Sequence, residues 1–542
     1  MINSTQPKWG AEKRMAENTV NLDAMVARDD MAMAAAAAKP GAQSRTTMSI
    51  LDLDGGFFAT GLRKPDFQRE TTHWGPTKVV DLISAFVNGD LIPAVILWQR
   101  GADTFVIDGA HRLSALLAWI HDDYGDRSRS IGFFGSQLPP EQIAVAEKTR
   151  RLVNKTIGPY SKFKGLAASG VEASLDDRAV LEGLRNNSLI VQWVPASDAD
   201  TAEKSFFKIN QAAQPIDPTE RRILQSRASP NAIAARCIVR GGKGHPYWGK
   251  FPKAIQEEIE LIGAEIYDAL FRPPLTEPVS TLDLPVAGRG YNQLPFAFDL
   301  TNLCNGIPLP ERADTQRIGG PLSEDVDGSQ TVAFLKSIRK RVRVVTTKDP
   351  GSLGLHPAVY FYAMSGGFLP NAFLATLDFS KRLGDERRFN DFTKCRGAFE
   401  DYLFENKTFI SLTVTKLGSG SRSLGRLSTL FWRVFEGFSS GHSSEEISKG
   451  LFDDPDFVHL VQAKTPPPRT TRGKTGKMSG ATKSAVAMRQ GYSNANRCAI
   501  CRGAVHFRSS TIDHIIRRQD GGAADMQNGQ ITHPYCNTGV KN

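Results

Sequence analysis

FVIDGAHRLSALLAWI, residues 105–120, changes its hydrophobic rhythm halfway along. FVID is a continuous apolar run ending in an acid, which reads as a buried strand. Beyond Asp108-Gly109 the apolar residues Leu113, Leu116, Leu117 and Ile120 fall at i, i+3, i+4 and i+7, the spacing of an amphipathic helix. A strand therefore feeds a helix through a tight polar turn. Gly109 permits the turn, Asp108 can cap the helix and Arg112 can pair with an acid, so architecture alone accounts for the motif. The same geometry also gathers free backbone N–H groups and the positive end of a helix dipole at one spot, a natural seat for phosphate. Arg112 could add a bidentate contact and His111 a donor. At the level of these residues, both readings stand.

Working outward, IPAVILWQR (92–100) is strand-like, and Gly101-Ala102-Asp103 turns the chain back into TFVID, which predicts a hairpin. TKVVDLISAFVNG (77–89) predicts an amphipathic helix ending at Gly89. In AEKSFFKINQAAQPIDPTERRILQ (202–225) an apolar element leads into a new helix, with Asp217 as cap, Pro218 in the first turn and Glu220 three residues after the cap. Residues 1–45 read as a polar, helix-prone extension, and 236–460 as a mainly helical region cut by Pro- and Gly-rich loops. PPPRTTRGKTGKMSG (466–480) offers almost nothing to bury and marks a linker over 461–494. A coil of that length would hold its ends roughly 35 Å apart, leaving the C-terminal residues 495–542 tethered with freedom to move. The predicted division is thus 1–45, 46–235, 236–460, 461–494 and 495–542.

The 542 residues exceed what one core usually organises, and no apolar run nears the roughly 20 residues that span a bilayer. MAMAAAAA (31–38) follows Arg28, Asp29 and Asp30 and lacks the form of a signal peptide. The expected location is the cytoplasm, with no membrane partner. Six cysteines in this length argue against a secreted disulfide framework. Cys237, Cys304 and Cys395 stand singly, as buried small hydrophobes do, whereas Cys498, Cys501 and Cys536 crowd the C-terminus. Formal net charge is +10, and from Val461 to Arg497 there are eight Lys or Arg and no Asp or Glu. Such a block is either a solvated linker or a contact for a polyanion, since basic groups displace counterions from phosphates.

The C-terminal NRCAICRGAVHFRSSTIDHIIRRQDGGAADMQNGQITHPYCNTGVKN (496–542) carries the strongest pattern. Cys498-x-x-Cys501 and His533-x-x-Cys536 are two ligand pairs bracketing a compact insert, and three thiolates with one imidazole suit tetrahedral Zn²⁺. So short a unit buries little, which makes a metal staple physically sensible. Within the insert, STIDHII reads as a strand ending in Asp513-His514, followed by Gly521-Gly522, Asn528 and Asn537 directly after the last thiol. These positions resemble the HNH nuclease family, whose ββα-metal core has a zinc-bearing variant. The resemblance makes His514 the general base, has Asp513 and Asn537 hold one Mg²⁺ or Mn²⁺, and has Asn528 brace the loop that orients His514. It implies a structural Zn²⁺ and a separate catalytic metal, because a phosphodiester needs both a base and a hard cation. The chain departs from the family at His533, where Cys is usual, and at Arg517, where Pro is common. The few residues after Asn537 make a short final helix that calls for support from elsewhere. His506 is expected at the surface.

The N-terminal motifs also resemble a family. FQRETTHW (67–74), LISAFVNGDLIPAVILW (82–98), VIDGAHRLSAL (106–116) and FFKINQAAQPIDPTE (206–220) follow the order and spacing of the GmrS-type, ParB-like NTPase domain, in which DGQQR stands where this chain has DGAHR. The resemblance implies a nucleotide site for GTP or ATP built from Gln68, Arg69, Asp108, Gly109, His111, Arg112 and Asn210. The two resemblances together imply an α+β multidomain chain: a ParB-like N-terminal α/β domain, a helical middle region and a C-terminal ββα-metal HNH domain. They imply an endodeoxyribonuclease of prokaryotic antiphage restriction whose partners are DNA (phage-derived, modified or not), an NTP and a second copy in a homo-oligomer. Two alternatives remain at this stage: an NTP-regulated DNA-binding protein with an inactive HNH fold, and a mobile-element or toxin nuclease without modification sensing.

Overall fold

The computed structural model describes residues 19–29, 45–310, 322–464 and 478–540, short breaks inside these spans apart. The chain divides into two compact units, Met1–Pro215 and Ile216–Asn542. It is a mixed α+β, multidomain architecture. No helix among the described residues is long and apolar enough to cross a membrane.

The first unit is organised by a mixed sheet in the order β1-β3-β5-β4-β6-β2. Its strands are β1 (Ala27–Asp29), β2 (Thr47–Ser49), β3 (Leu62–Pro65), β4 (Val95–Arg100), β5 (Asp103–Asp108) and β6 (Ser188–Trp193). The hairpin expected at Gly101 is the antiparallel β4–β5 pair, and Gly101 has φ +62°, where glycine is favoured. Strand β5 runs parallel to β3, so Phe105, Val106 and Ile107 lie inside the sheet and are fully buried. Two helices flank it: α1 (Pro76–Asn88), closed by left-handed Gly89, and α2 (Ala110–His121). Val79, Ile83 and Phe86 of α1 and Leu113, Leu116 and Leu117 of α2 enter one core, as their spacing requires.

One expected boundary moves. Residues 19–29, assigned by composition to a polar extension, belong to the sheet: Val20, Leu22, Met25 and Val26 are buried and β1 pairs with β3. What holds them is polar. Asp23 is fully buried and receives Lys64, Arg28 at 3.2 Å and the Thr71 backbone N–H at 3.1 Å. Lys64 also donates to Thr71 Oγ1 at 2.7 Å. A buried charge needs such a set of partners, so the polar look of this segment misleads.

The second unit is helical around an aromatic core. From α3 (Phe389–Glu405) and α4 (Ser421–Ser439), Phe392, Phe399, Phe431 and Phe435 pack about Phe379 with ring centroids 5.6–6.1 Å away. The isolated cysteines behave as expected: Cys237 and Cys304 are buried and Cys395 half-buried. Burial pushes the Cys304 thiol up to about 12.

The expected linker over 461–494 is corrected in its second half. Residues 465–477 lie outside the described ones, but α5 (Gly480–Ser493) is a helix docked on the unit. Ser484 Oγ accepts from the Val279 N–H at 3.0 Å, Met488 is buried, and Tyr492 stacks on Phe404 at 3.8 Å. Apolar residues at 484–492 are few but correctly spaced, and tertiary packing makes them sufficient. The C-terminal residues that this helix leads to are accordingly part of the second unit and do not hang from it on a free coil.

Lys407 supplies a pH-dependent test of this core. It is buried, donates to the carbonyls of Val359 (2.8 Å) and Tyr362 (2.6 Å), and burial lowers its ammonium from 10.5 to about 7. Between these values the unfolded chain holds a proton that the folded chain has released, so stability rises with pH across that window. The stability of Lys407→Met relative to wild type should thus be greatest at or below pH 7 and decline toward pH 10, by up to several kcal/mol. Urea titrations at pH 7 and 9 measure it, and a pH-independent difference contradicts the assignment.

Candidate metal centre and nuclease site

The C-terminal module is built on β7 (Thr511–His514) and β8 (Gly529–Thr532), an antiparallel pair in which Asp513 faces Gln530 and His514 faces Gly529. Before it, Arg497 and Ala504 bridge a tight knuckle carrying Cys498 and Cys501, with Arg502 at φ +60°. After it, His533 leaves β8 and Cys536 opens the terminal turn Cys536–Val540. The four side chains are buried and their donor atoms all lie within 4.8 Å of one another. A tetrahedral ion with bonds of about 2.3 Å to sulfur needs ligands roughly 3.8 Å apart, so the set fits a metal ion of zinc's size. His533 Nδ1 stands 3.3 Å from Cys501 Sγ, while its Nε2 lies 3.1 Å from the Ala504 carbonyl. That carbonyl takes the Nε2 proton and leaves the Nδ1 lone pair for a metal.

The electrostatics of the cluster agree. Hydrogen bonds from Cys501 and Cys536 pull the Cys498 thiol far down, while the shared proton pushes Cys501 up to about 12 and Cys536 higher still. Three crowded sulfurs cannot all ionise unless a cation joins them. Four buried protein donors leave no open position, so this centre serves structure and another site must do chemistry.

The remaining residues singled out in the sequence gather near the end of β7. Asp513 is buried and accepts from Gln530 Nε2 at 3.0 Å, and the half-buried His514 follows it on the strand. Asn528 is almost wholly enclosed in the next loop. Its Oδ1 accepts from the Ile516 N–H at 2.7 Å, and its Nδ2 donates to the carbonyls of Ile516 (3.0 Å) and Ala523 (2.7 Å). A Cβ on Gly522 would sit 1.9 Å from the Ile516 carbonyl, so glycine is required there. Asn537, directly after Cys536, packs against β7, with Nδ2 3.5 Å from the Ile512 carbonyl. Asp513 and His514 thus end β7, Asn537 packs against the same strand at Ile512, and Asn528 fixes the loop that follows.

The short terminal turn does have outside support: Tyr535 N–H donates to the Ser352 carbonyl at 2.9 Å and Thr538 Oγ1 to that of Pro350 at 2.8 Å. His506, expected at the surface, is 1% exposed and its ring meets His356 at 5.3 Å. Burial pushes it down to about 3, so it stays neutral. Its aromatic ring is used for packing, which a single sequence position does not disclose.

In the first unit, Gly109 is the N-cap of α2 at φ +99°, and a Cβ there would meet Val95 at 3.1 Å. Asp108 does not cap. It pairs with Arg112 at 2.6 Å, and Arg112 also donates to the Ala94 carbonyl at 3.0 Å. Gln68 Nε2 donates to the Ile107 carbonyl at 3.3 Å, bringing Gln68 beside β5, while its buried Oε1 finds no partner among the described residues. His111 lies against Trp74 at 5.5 Å and His73 at 5.9 Å, an aromatic edge that motif reading did not include although both residues stand in FQRETTHW. Arg69 lies outside the described residues; Asn210 belongs to the helix Ala199–Ala213, its side chain undescribed.

Two family models match the chain. Residues 54–227 match the GmrSD restriction endonuclease, N-terminal domain. Residues 498–542 match the HNH endonuclease. No curated protein and no solved structure matches. The chain therefore joins a restriction-endonuclease N-terminal domain to an HNH endonuclease domain, and it is a DNA-cleaving hydrolase.

The metal centre predicts one tightly held Zn²⁺ per chain. Replacement by Co²⁺ should give the absorption of a tetrahedral thiolate site, and Cys536→Ser should lose the metal and lower the melting temperature. Full retention of zinc by that variant, by elemental analysis, contradicts the ligand assignment.

Proposed function

Since the chain joins a GmrSD-type domain to an HNH domain, we propose that it is an endonuclease of prokaryotic antiphage defence. It cuts or nicks DNA by a one-metal mechanism under control of a nucleotide-binding, modification-sensing N-terminal unit. The observation carrying the catalytic half is the end of β7, where Asp513 and His514 lie beside Asn537 and the Asn528 side chain pins the following loop with three hydrogen bonds.

His514 takes the proton from the attacking water. Asn528 restrains the Ile516 peptide two residues beyond it, so the imidazole meets the phosphate in one orientation. Asp513 and Asn537 offer a carboxylate and an amide oxygen, hard donors suited to Mg²⁺ or Mn²⁺. When bound, such an ion neutralises charge on the phosphate and the leaving oxygen. Gln530 steadies Asp513 from the facing strand. Zn²⁺ held by Cys498, Cys501, His533 and Cys536 would fix Asn537 through its neighbour Cys536.

The nucleotide half rests on the turn Asp108–Arg112. Gly109 caps α2 with no side chain, leaving first-turn N–H groups for phosphate oxygens. The unpartnered Gln68 Oε1 offers an acceptor at the same turn. In place of the family's DGQQR, His111 brings a ring packed on Trp74, which favours a ligand with an aromatic base. GTP and ATP are the candidates.

Modified and unmodified phage DNA, incubated with Mg²⁺ or Mn²⁺ and with or without GTP or ATP, test both halves. His514→Ala should lower cleavage by about 10²-fold or more, since a positioned base contributes 10²–10⁴. Equal cleavage by variant and wild type overturns the catalytic roles. Cleavage and DNA discrimination that ignore both nucleotides overturn the regulatory half alone.

A further inference from the structure

Arg396 and Glu400, one turn apart on α3, are the most deeply buried ion pair among the described residues of the second unit, with side-chain exposures of 2% and 0%. In sequence, RGAFE is an ordinary i,i+4 surface pair. In the fold the pair lies directly under the cysteine knuckle. Arg396 Nε donates to Glu400 Oε1 at 2.7 Å, and Tyr360 donates to the same oxygen at 2.9 Å. The Arg396 terminal nitrogens donate to the carbonyls of Leu353 and, at 2.9 Å, Gly354.

Three features connect this pair to the metal ligands. Glu400 Oε2 accepts the Ala504 N–H at 2.7 Å, and the Ala504 carbonyl is the one that receives His533 Nε2 at 3.1 Å. The Gly397 N–H donates to the Cys501 carbonyl at 3.1 Å. Both surfaces lack room for a Cβ: on Gly397 it would stand 2.9 Å from Arg502, and on Gly503 2.7 Å from Arg396 Nε and 3.0 Å from Glu400 Oε2. Gly354 closes the other side, since its Cβ would stand 2.9 Å from the His533 ring.

A divalent ion with three thiolates carries a net negative charge, and burying it away from water demands a compensating cation. Arg396 is a buried cation against the knuckle, where a Cβ on Gly503 would stand 2.7 Å from its Nε. The HNH match covers residues 498–542 only, so this shell comes from chain outside the nuclease module.

We infer that the helical unit supplies the outer coordination shell of the zinc centre. Arg396 offsets the charge of the metal–thiolate complex, and Glu400 fixes the Ala504 peptide that orients His533. Both are positioning residues. The nuclease module is therefore completed by α3 and does not form its metal centre unaided. The inference rests on reading Cys498, Cys501, His533 and Cys536 as a zinc site, and it is independent of the roles given to His514 and Asp513.

The test is zinc release from the full-length, zinc-loaded protein challenged with excess EDTA and followed with a chromogenic zinc indicator. Outer-shell partners typically tune metal affinity 10–100-fold, so Arg396→Met should release zinc about tenfold faster or more. Arg396→Lys, which keeps the charge, should recover part of the loss. Because one unpaired buried charge can unfold the unit, Arg396→Met/Glu400→Leu replaces the pair by apolar groups, a change that folds often tolerate. It should be folded by near-ultraviolet circular dichroism, release zinc fast and shift the thiolate charge-transfer band of the Co²⁺ form. Ile233→Ala, a cavity elsewhere in the same unit, should release zinc at the wild-type rate. A folded double variant with wild-type release and an unshifted band overturns the inference, and so does fast release from Ile233→Ala. Wild type that binds no zinc at all removes the zinc reading itself, while cleavage assays on the same preparations report separately on the nuclease reading.

Discussion

Three sulfurs and an imidazole converge in a pocket from which water is excluded, and everything at the C-terminus depends on the cation they require. Without one, the cluster shares protons among thiols pushed in opposite directions. With one, the knuckle, the end of β8 and the terminal turn become a single rigid piece. Asn537 directly follows Cys536, and Asn528 and His533 flank β8 on its two sides, so the spacing of the metal ligands also sets the spacing of the groups around β7. A module with so small a hydrophobic cluster, centred on the cysteines themselves, holds that geometry through the metal ligands and the helical unit it rests on.

The two candidate sites solve different electrostatic problems. At β7 the proposed task is to bring a carboxylate, an amide and an imidazole to a phosphodiester, and the Asn528 hydrogen bonds hold the loop beside them. At the β5–α2 turn, Arg112 is held by Asp108 and by the Ala94 carbonyl. Its charge is thereby partly spent within the protein, so the proposed phosphate contact would rest on the backbone N–H groups of α2. Such a site suits a ligand that binds reversibly and reports, more than one gripped by a free guanidinium.

How far the sequence discloses this depends on how local the determining physics is. The hairpin at Gly101, helices α1 and α2, and the paired ligands Cys498/Cys501 and His533/Cys536 are each written within a dozen residues, by periodicity, turn chemistry or spacing. The placement of 19–29 is not, because Asp23 meets Lys64 across the sheet and a polar segment gives no sign of a buried ion pair. Helix α5 has too few apolar residues to declare itself locally, and it is held by the Tyr492 stack on Phe404 and the Ser484 bond to the Val279 N–H. His506 gives no local sign either. Arg396 and Glu400 are the extreme case: their local signature is that of an exposed helix, and only the fold turns them inward.

That last pair bears on control. A restriction nuclease must be restrained on its host's DNA, and a module on a long tether would suggest restraint by swinging it away. Here, separating the module from α3 would strip the Arg396–Glu400 pair of its Ala504 partner and expose the metal ligands' outer shell. The ion pair itself stays whole, but a hydrogen bond to a buried charged group is worth about 1.5–3 kcal/mol, so on that account a detached module would be populated at roughly 10⁻¹ to 10⁻². Any signal that worked by detachment would have to supply at least that differential binding energy. Control of DNA entry, with the nuclease site intact throughout, requires far less and leaves the zinc centre undisturbed in both states.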